Sequence, residues 1–322
     1  MEITSFSVAS ASLLKDLYTR MLLTRIVDDC AYKLWQQGRI EFAATCRGHE
    51  AAQIGSAVCI EVGRDFTLPY YRDLGVVLTI GMTPYEVFRT YLLAHDRQME
   101  DDKPRAPSKP SGPEQQPVLH WGYHKRNTIT GAAPVATQIL HAAGIAFACK
   151  LRKEPAVTVA YCGDGATAEP DFLEGISFAV QHQLPVVFIY EQDCSDGRTS
   201  TLENLLLPGE LERHSVDGAD VIAIYTIMQE AMKHARNGQG PVLLEMRVWR
   251  SLAGQAEELL DEDKVNRDPL LRCEGLLRER DAWDEEWASQ LYARILAEVE
   301  QAVEDALRDV SFSGVRSKNH IE

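Results

Sequence analysis

The chain has 322 residues, 45% of them hydrophobic and 25% charged, the make-up of a globular protein long enough for one large α/β unit or two domains. Its formal net charge of −15 disfavours nucleic acid and anionic membrane as general partners, yet leaves room for a local basic pocket around one small anionic ligand. No apolar run approaches the roughly 20 residues that cross a bilayer, and the start, MEITSFSVASASLLKDLY, lacks the basic head and apolar centre of a secretory signal, so a cytoplasmic protein is expected.

From Leu14, apolar residues recur at Tyr18, Met21, Leu22, Ile26, Cys30 and Leu34, a spacing that predicts a helix closed near Gly38. A second helix is predicted from His49 to Ile60, and a third in TPYEVFRTYLLA, opened by Thr83 and Pro84. From about Met99 to Pro117 the chain holds five of its 14 prolines and almost no apolar residue, which predicts a flexible loop. Small residues crowd 136–150, including Ala142, Ala143, Gly144, Ala146 and Ala148, so this predicted helix belongs in the interior or at a subunit interface. A strand over 156–161, a helix over 171–181 and a strand over 185–190 follow as a βαβ unit, and a helix over 222–236 with a strand over 242–248 repeats the alternation. A last helix, over 284–308, carries a stripe at Trp287, Leu291, Ile295, Val299, Val303 and Leu307 that packs on the body or meets a partner.

The expected fold class is therefore α/β, a mainly parallel sheet covered by helices on both faces, with a C-terminal helical segment. Its expected divisions are 1–98 (N-terminal helices and the start of the α/β domain), 99–118 (Pro-rich loop), 119–250 (α/β core) and 251–322 (acidic loop and C-terminal helices). The seven cysteines are scattered, odd in number and never spaced as CxxC, so they read as buried thiols rather than a disulfide framework or a zinc site.

The most informative stretch is AVTVAYCGDGATAEPDFLEGISFAVQHQLPVVFIYEQD. Gly163 and Gly165 follow a strand, and Pro170 marks the first turn of a helix whose Phe172, Ile176, Ala179 and Val180 share a face. A strand, a glycine turn and a helix N-terminus leave backbone N–H groups aimed at one point, an anion site suited to a diphosphate. Gly163 to Ala168 also fits the loose dinucleotide pattern GxGxxG/A, and Glu191 ends the next strand where an acidic ribose ligand would lie. Asp164 weighs against that pattern, because its carboxylate would repel a pyrophosphate unless a cation stood between them. A metal-bridged diphosphate needs a second hard ligand, and Asp193 stands at the carboxyl edge where such sheets bind ligands. A tight loop closed by Asp196 and Gly197 is the structural alternative there.

GDGATAEPDF followed by LPVVFIYEQD is similar to the thiamine diphosphate motif, in which GDG is followed, after the next strand, by a pair of asparagines. Around it, RGHEAAQIGSA, LPYYRDLGVVL, HWGYHKRN, APVATQ and VDGADVIAIY resemble, in the same order, segments of the α subunits (E1α) of thiamine diphosphate-dependent 2-oxo acid dehydrogenases. The resemblance runs from roughly Leu14 to Arg250, and APVATQ and HWGY lean toward the branched-chain (2-oxoisovalerate) members. It implies a thiamine diphosphate-binding fold, magnesium, a 2-oxo acid substrate, and a β subunit in an α2β2 assembly that supplies the glutamate activating the aminopyrimidine. It further implies the lipoyl domain of an E2 acyltransferase as acyl acceptor.

By the same resemblance Tyr71 and Arg72 contact the diphosphate, to which a guanidinium fork is well matched, and Arg250 belongs to the cofactor site. Asp164, Asp193 and the Ser195 carbonyl would hold magnesium, with backbone contacts from Gly165 and Ala166. Val135 matches the position that braces the cofactor in its bent shape. Pro134, Thr137 and Gln138 match a potassium site of branched-chain members, although Thr137 and Gln138 read equally well as satisfied helix-start residues.

The chain departs from that pattern at three places. Gln192 and Asp193 stand where the asparagine pair is expected, and Ser195 where a tyrosine offers its carbonyl. After Arg250 the family continues into a loop that places a histidine over the thiazolium; here it reads SLAGQAEELLDEDKVNRD, without a histidine. That loop is also shorter and acidic, which would weaken docking of acidic lipoyl domains. His120 and His124 are the nearest candidates to replace the histidine, each reading more simply as structural. The expected function is thus the E1α part of oxidative decarboxylation of a 2-oxo acid, branched-chain by resemblance, with pyruvate or acetoin dehydrogenase E1α as a variant. The alternatives are an E1α-like subunit that keeps the fold without turnover, and a nucleotide-dependent oxidoreductase using the same glycine turn.

Overall fold

The apolar runs TVAYCG, VVFIYEQD and VLLEMRV form strands β2 (Thr158–Gly163), β3 (Val186–Asp193) and β5 (Val242–Val248), buried because a parallel sheet is covered on both faces. The computed structural model describes residues 10–101, 121–195, 197, 200–250 and 266–318. Among these, a short β1 (Phe66–Leu68) and an outer β4 (Glu212–Asp217) complete one parallel sheet in the order β1-β2-β3-β5-β4.

The two-residue period of the strands sorts their side chains into two cores. Val159, Tyr161, Val187, Ile189, Leu244 and Met246 face α1 (Ala11–Gln36), α2 (Glu50–Ala57), α3 (Leu74–Thr79), α4 (Pro84–Asp101) and α7 (Val221–Arg236) in the larger core. Ala160, Cys162, Val186, Phe188, Tyr190 and Leu243 face α5 (Thr137–Arg152) and α6 (Pro170–Gln181) in the smaller one. The small residues of α5 serve a close crossing, since a Cβ on Gly175 of α6 would stand 2.9 Å from Ile139 Cγ2. A helix α8 (Pro269–Glu279) and the C-terminal α9 (Glu285–Lys318) finish the chain; α9 buries Leu291, Ile295, Val299, Ala302 and Ala306 and packs on α1 and α4. Packing on the body is therefore the observed use of its stripe.

The expected α/β architecture and C-terminal helical segment are present, and β1, β4 and α3 were not foreseen. β1 and α3 are too short, at three and six residues, to show a period. β4 reads ERHSVD, mostly exposed, and owes its extension to pairing with β5 rather than to its own apolar pattern. Met99, Glu100 and Asp101 continue α4, and the remainder of the Pro-rich segment, 102–118, lies outside the described residues. All seven cysteines are free, four of them buried. Among the described residues no helix is long and apolar enough to cross a membrane.

Candidate functional site

The carboxyl ends of β1, β2, β3 and β5 converge on one cleft, lined among others by His49, Tyr70, Tyr71, Arg72, Val135, Gln138, Gly163, Asp164, Gly165, Glu191, Asp193 and Arg250. Each strand delivers its residues where its ladder ends. β1 releases the chain into Tyr70, Tyr71 and Arg72; β2 ends at Gly163 and turns through Asp164–Ala168 into α6, whose first residue is Pro170; β3 ends at Asp193. Arg250 follows β5 by two residues.

Asp164 and Asp193 come together through the backbone, the Asp193 N–H donating to Asp164 Oδ1 at 3.0 Å. The Asp193 carboxylate accepts from Ser195 N at 3.0 Å and from the Ser195 hydroxyl, and Arg250 Nε lies 3.3 Å from its second oxygen. Burial pushes the Asp193 carboxyl up, but the Ser195 hydrogen bonds and the charges of Arg250 and His49 outweigh it and hold the group below the usual carboxylate range. It is thus an anion across the neutral range. Gln192 turns away to Tyr190 and Asp193's own carbonyl, so the substituted asparagine pair presents one carboxylate and no amide to the cleft. Among the described residues no three His, Cys, Asp or Glu side chains converge as a metal site.

Arg72 makes no ion pair among the described residues. Its Nη1 donates to the Thr45 carbonyl at 3.1 Å, and its guanidinium lies 5.1 Å from the centre of the Tyr71 ring. Val135, 46% exposed, forms the opposite wall, and its Cγ1 stands 3.8 Å from where a Cβ on Gly165 would be. Ala136 holds a left-handed φ of 71° there, strain that fixes how the chain enters α5. Ala166 is fully buried behind the turn. At the start of α5, Thr137 Oγ1 donates to Asp171 at 2.8 Å and Gln138 Nε2 to the Tyr161 carbonyl at 3.0 Å, the helix-start roles open to them from sequence. Pro134 is exposed beside them.

Sequence reasoning missed the floor of the cleft. Tyr70 Oη donates to Glu191 Oε2 at 2.6 Å, and His49 Nδ1 meets the same oxygen at 2.7 Å. Burial and the Glu191 charge push the Tyr70 hydroxyl well above its ordinary value, so it stays a donor. Glu191, 1% exposed, is engaged within the protein and is no ribose ligand. His49 was hidden because it read as one more residue of a helix; the signal was an ionisable His-Glu pair just after Gly48 in an otherwise small and apolar run. Gly48 has φ +93°, and a Cβ there would stand 2.0 Å from the Trp249 carbonyl oxygen, so only glycine lets this turn pass under the exit of β5. His124, in contrast, is exposed in a short 3-10 turn, closed by the pairing of Tyr123 with Thr128, and does not line the cleft. His120 and the segment 251–265 lie outside the described residues.

Residues 18–193 and 212–311 match the family model described as the dehydrogenase E1 component. The chain belongs to that family. It is 33% identical over 314 residues to the 2-oxoisovalerate dehydrogenase subunit alpha of Bacillus subtilis, covering 90% of this chain and 89% of that one. It is 30% identical to the 3-methyl-2-oxobutanoate dehydrogenase subunit alpha of Mycobacterium tuberculosis over 91% of this chain and 79% of that one. To the pyruvate dehydrogenase E1 component subunit alpha of Bacillus subtilis it is 28% identical, over 91% and 77% of the two chains. This E1 chain is accordingly an α subunit of the 2-oxo acid dehydrogenase type, resembling the branched-chain one. The nucleotide-dependent oxidoreductase reading of the glycine turn is set aside.

Proposed function

We propose that this E1α, with a β subunit in an α2β2 assembly, decarboxylates a branched-chain 2-oxo acid using thiamine diphosphate and magnesium and passes the acyl group to the lipoyl domain of an E2 acyltransferase. The observation that carries the reading is the convergence, at the carboxyl edge of one parallel sheet, of Arg72 and Arg250 with Asp164 and Asp193 around the Gly163–Gly165 turn. This donor set fits the cofactor. An arginine without an ion-pair partner among the described residues suits a phosphate, and the two adjoining carboxylates, with the Ser195 carbonyl, would hold a divalent cation. Val135 and the Tyr71 ring would brace the organic part, and Gly165 and Ala166 would offer backbone contacts. A potassium ion at Pro134, Thr137 and Gln138 would stiffen the start of α5.

When bound, thiamine diphosphate supplies the carbanion stabilisation that decarboxylation requires; the protein binds it, orients it and excludes water. Glu191, held by Tyr70 and His49, closes the floor of the cleft against solvent. A β subunit is supported by apolar residues left uncovered on α5 and α6, Leu151 at 68% and Phe178 at 36% exposed.

One feature favours a second reading, an E1α-like subunit with little turnover: no histidine follows Arg250 until the chain's last residues. A missing acid-base group typically costs about 10²–10⁴-fold, which predicts slow decarboxylation rather than none. The test is single-turnover decarboxylation of 3-methyl-2-oxobutanoate and of pyruvate by the co-purified complex, in wild type and in a variant with a histidine loop grafted after Arg250. Preference for the branched substrate and acceleration by the graft support the proposal. Preference for pyruvate removes the branched-chain assignment, and no turnover in either form favours the inactive subunit.

A further inference from the structure

The His49 imidazole lies deep in the cleft wall, 2% exposed and carried at the N-terminal end of α2. Its Nδ1 is committed to Glu191 Oε2 at 2.7 Å, an oxygen that also accepts from Tyr70 Oη at 2.6 Å. With a carboxylate against Nδ1, that nitrogen carries a proton and the ring orientation is fixed. Its other nitrogen, Nε2, is buried and has no hydrogen-bond partner among the described residues. A buried polar atom left unpaired destabilises the fold, and such atoms in native proteins call for a reason. Here the ring forms part of the cleft wall together with Arg72, Asp164, Asp193 and Arg250.

The device that holds His49 is built at some cost. Gly48 takes a left-handed φ so that the turn can pass against Trp249. The following Glu50 is fully buried, receiving the Gly48 N–H at 2.7 Å on one oxygen and Arg25 on the other. Both neighbours of His49 are thereby fixed, which leaves the imidazole little freedom except at Nε2.

We propose that His49 is a direct donor through Nε2 to the phosphoryl end of the cofactor, the ring then carrying a proton on each nitrogen as an imidazolium, acting beside Arg72 and Arg250, with Glu191 and Tyr70 as positioning residues. This rests on the thiamine diphosphate reading of the same cleft. Cleft charge favours it: Asp164 and Asp193 face the anion site, and Arg250 is already partly neutralised by Asp193, so a third donor offsets the carboxylate that stands where an asparagine was expected. The occupant of Nε2 is thus a phosphate oxygen and not a nucleotide base or an acyl chain.

The experiment is calorimetric titration of the co-purified complex, in magnesium, with inorganic diphosphate and separately with thiamine diphosphate. His49→Ala is expected to weaken both by about ten- to a hundredfold, the range for one hydrogen bond to a charged group, and His49→Gln, which restores an N–H donor at similar reach, to recover part of that loss. If His49→Ala fails to fold, the His49→Gln variant and Glu191→Gln, which can still accept from Nδ1, carry the test through a change in inorganic diphosphate affinity. Unchanged diphosphate affinity in the His49 variants, with wild type binding normally, overturns this inference alone. Failure of the wild type to bind either ligand overturns the thiamine diphosphate reading as well.

Discussion

Asp28 illustrates how one residue of this fold couples stability to pH. It sits on α1 at 3% exposure, accepting from the Thr45 hydroxyl and from Cys46 N at 3.2 Å, and so ties α1 to the loop that leads to Gly48 and His49. Burial raises its carboxyl from the ordinary 3.8 to about 6, the hydrogen bonds from Thr45 and Cys46 opposing and Glu50 and Asp29 reinforcing the rise. Because the folded value lies above the unfolded one, the folded state binds the extra proton, and stability falls as pH rises from the unfolded value through about 6. The loss is at most on the order of 3 kcal/mol. Asp28→Asn should therefore gain relative to wild type on passing from about pH 4.5 to about pH 7.5, read as the difference in denaturant midpoint at each pH. An equal difference at both would show that Asp28 does not titrate as described. In the cleft, Arg72→Ala and Asp164→Asn are each expected to weaken thiamine diphosphate binding by about 1.5–3 kcal/mol, the range for hydrogen bonds to charged groups. Affinities within twofold of wild type would remove these residues from the site.

At the scale of elements, a single guanidinium joins three helices. Arg25 of α1 meets the buried Glu50 of α2 and lies 3.1 Å from Asp268, the residue that caps α8 by accepting from Leu270 N and Leu271 N. Burial alone would raise the Asp268 carboxyl, but the charge and hydrogen bonds of Arg25 prevail and lower it, so its contribution is present above the unfolded value and is lost as pH falls through the folded one. Arg25→Met leaves Glu50 buried and unpaired, an imbalance worth about 3–5 kcal/mol; the double variant Arg25→Met/Glu50→Gln should recover much of it. A denaturant midpoint unmoved by Arg25→Met would contradict this. The elements and the site were unequally legible in the sequence. β2, β3, β5 and the helices between them carry long apolar patterns and were found to within a few residues, whereas β4 has no such pattern and is set by its neighbour. Asp164, Asp193, Arg72 and Arg250 were legible because each closes a strand or belongs to a motif. His49 and Tyr70 were not, because their importance arises only where α2 and β1 meet the end of β3, a contact between residues 142 and 121 positions apart.

For the whole molecule, the exposed apolar residues of α5 and α6 and a cleft open beside Val135 predict a chain that needs company. Expressed alone it should associate or aggregate; co-expressed with a β subunit it should give a monodisperse complex by light scattering. A monodisperse monomer at micromolar concentration would count against the assembly. The carboxyl edge of this sheet is expected to hold thiamine diphosphate through magnesium, and calorimetric titration of the co-purified complex tests this most directly. Saturable binding of thiamine diphosphate that disappears when magnesium is chelated, with no heat from NAD, is the predicted result; no binding of thiamine diphosphate in magnesium, or saturable binding of NAD in its place, would contradict the account.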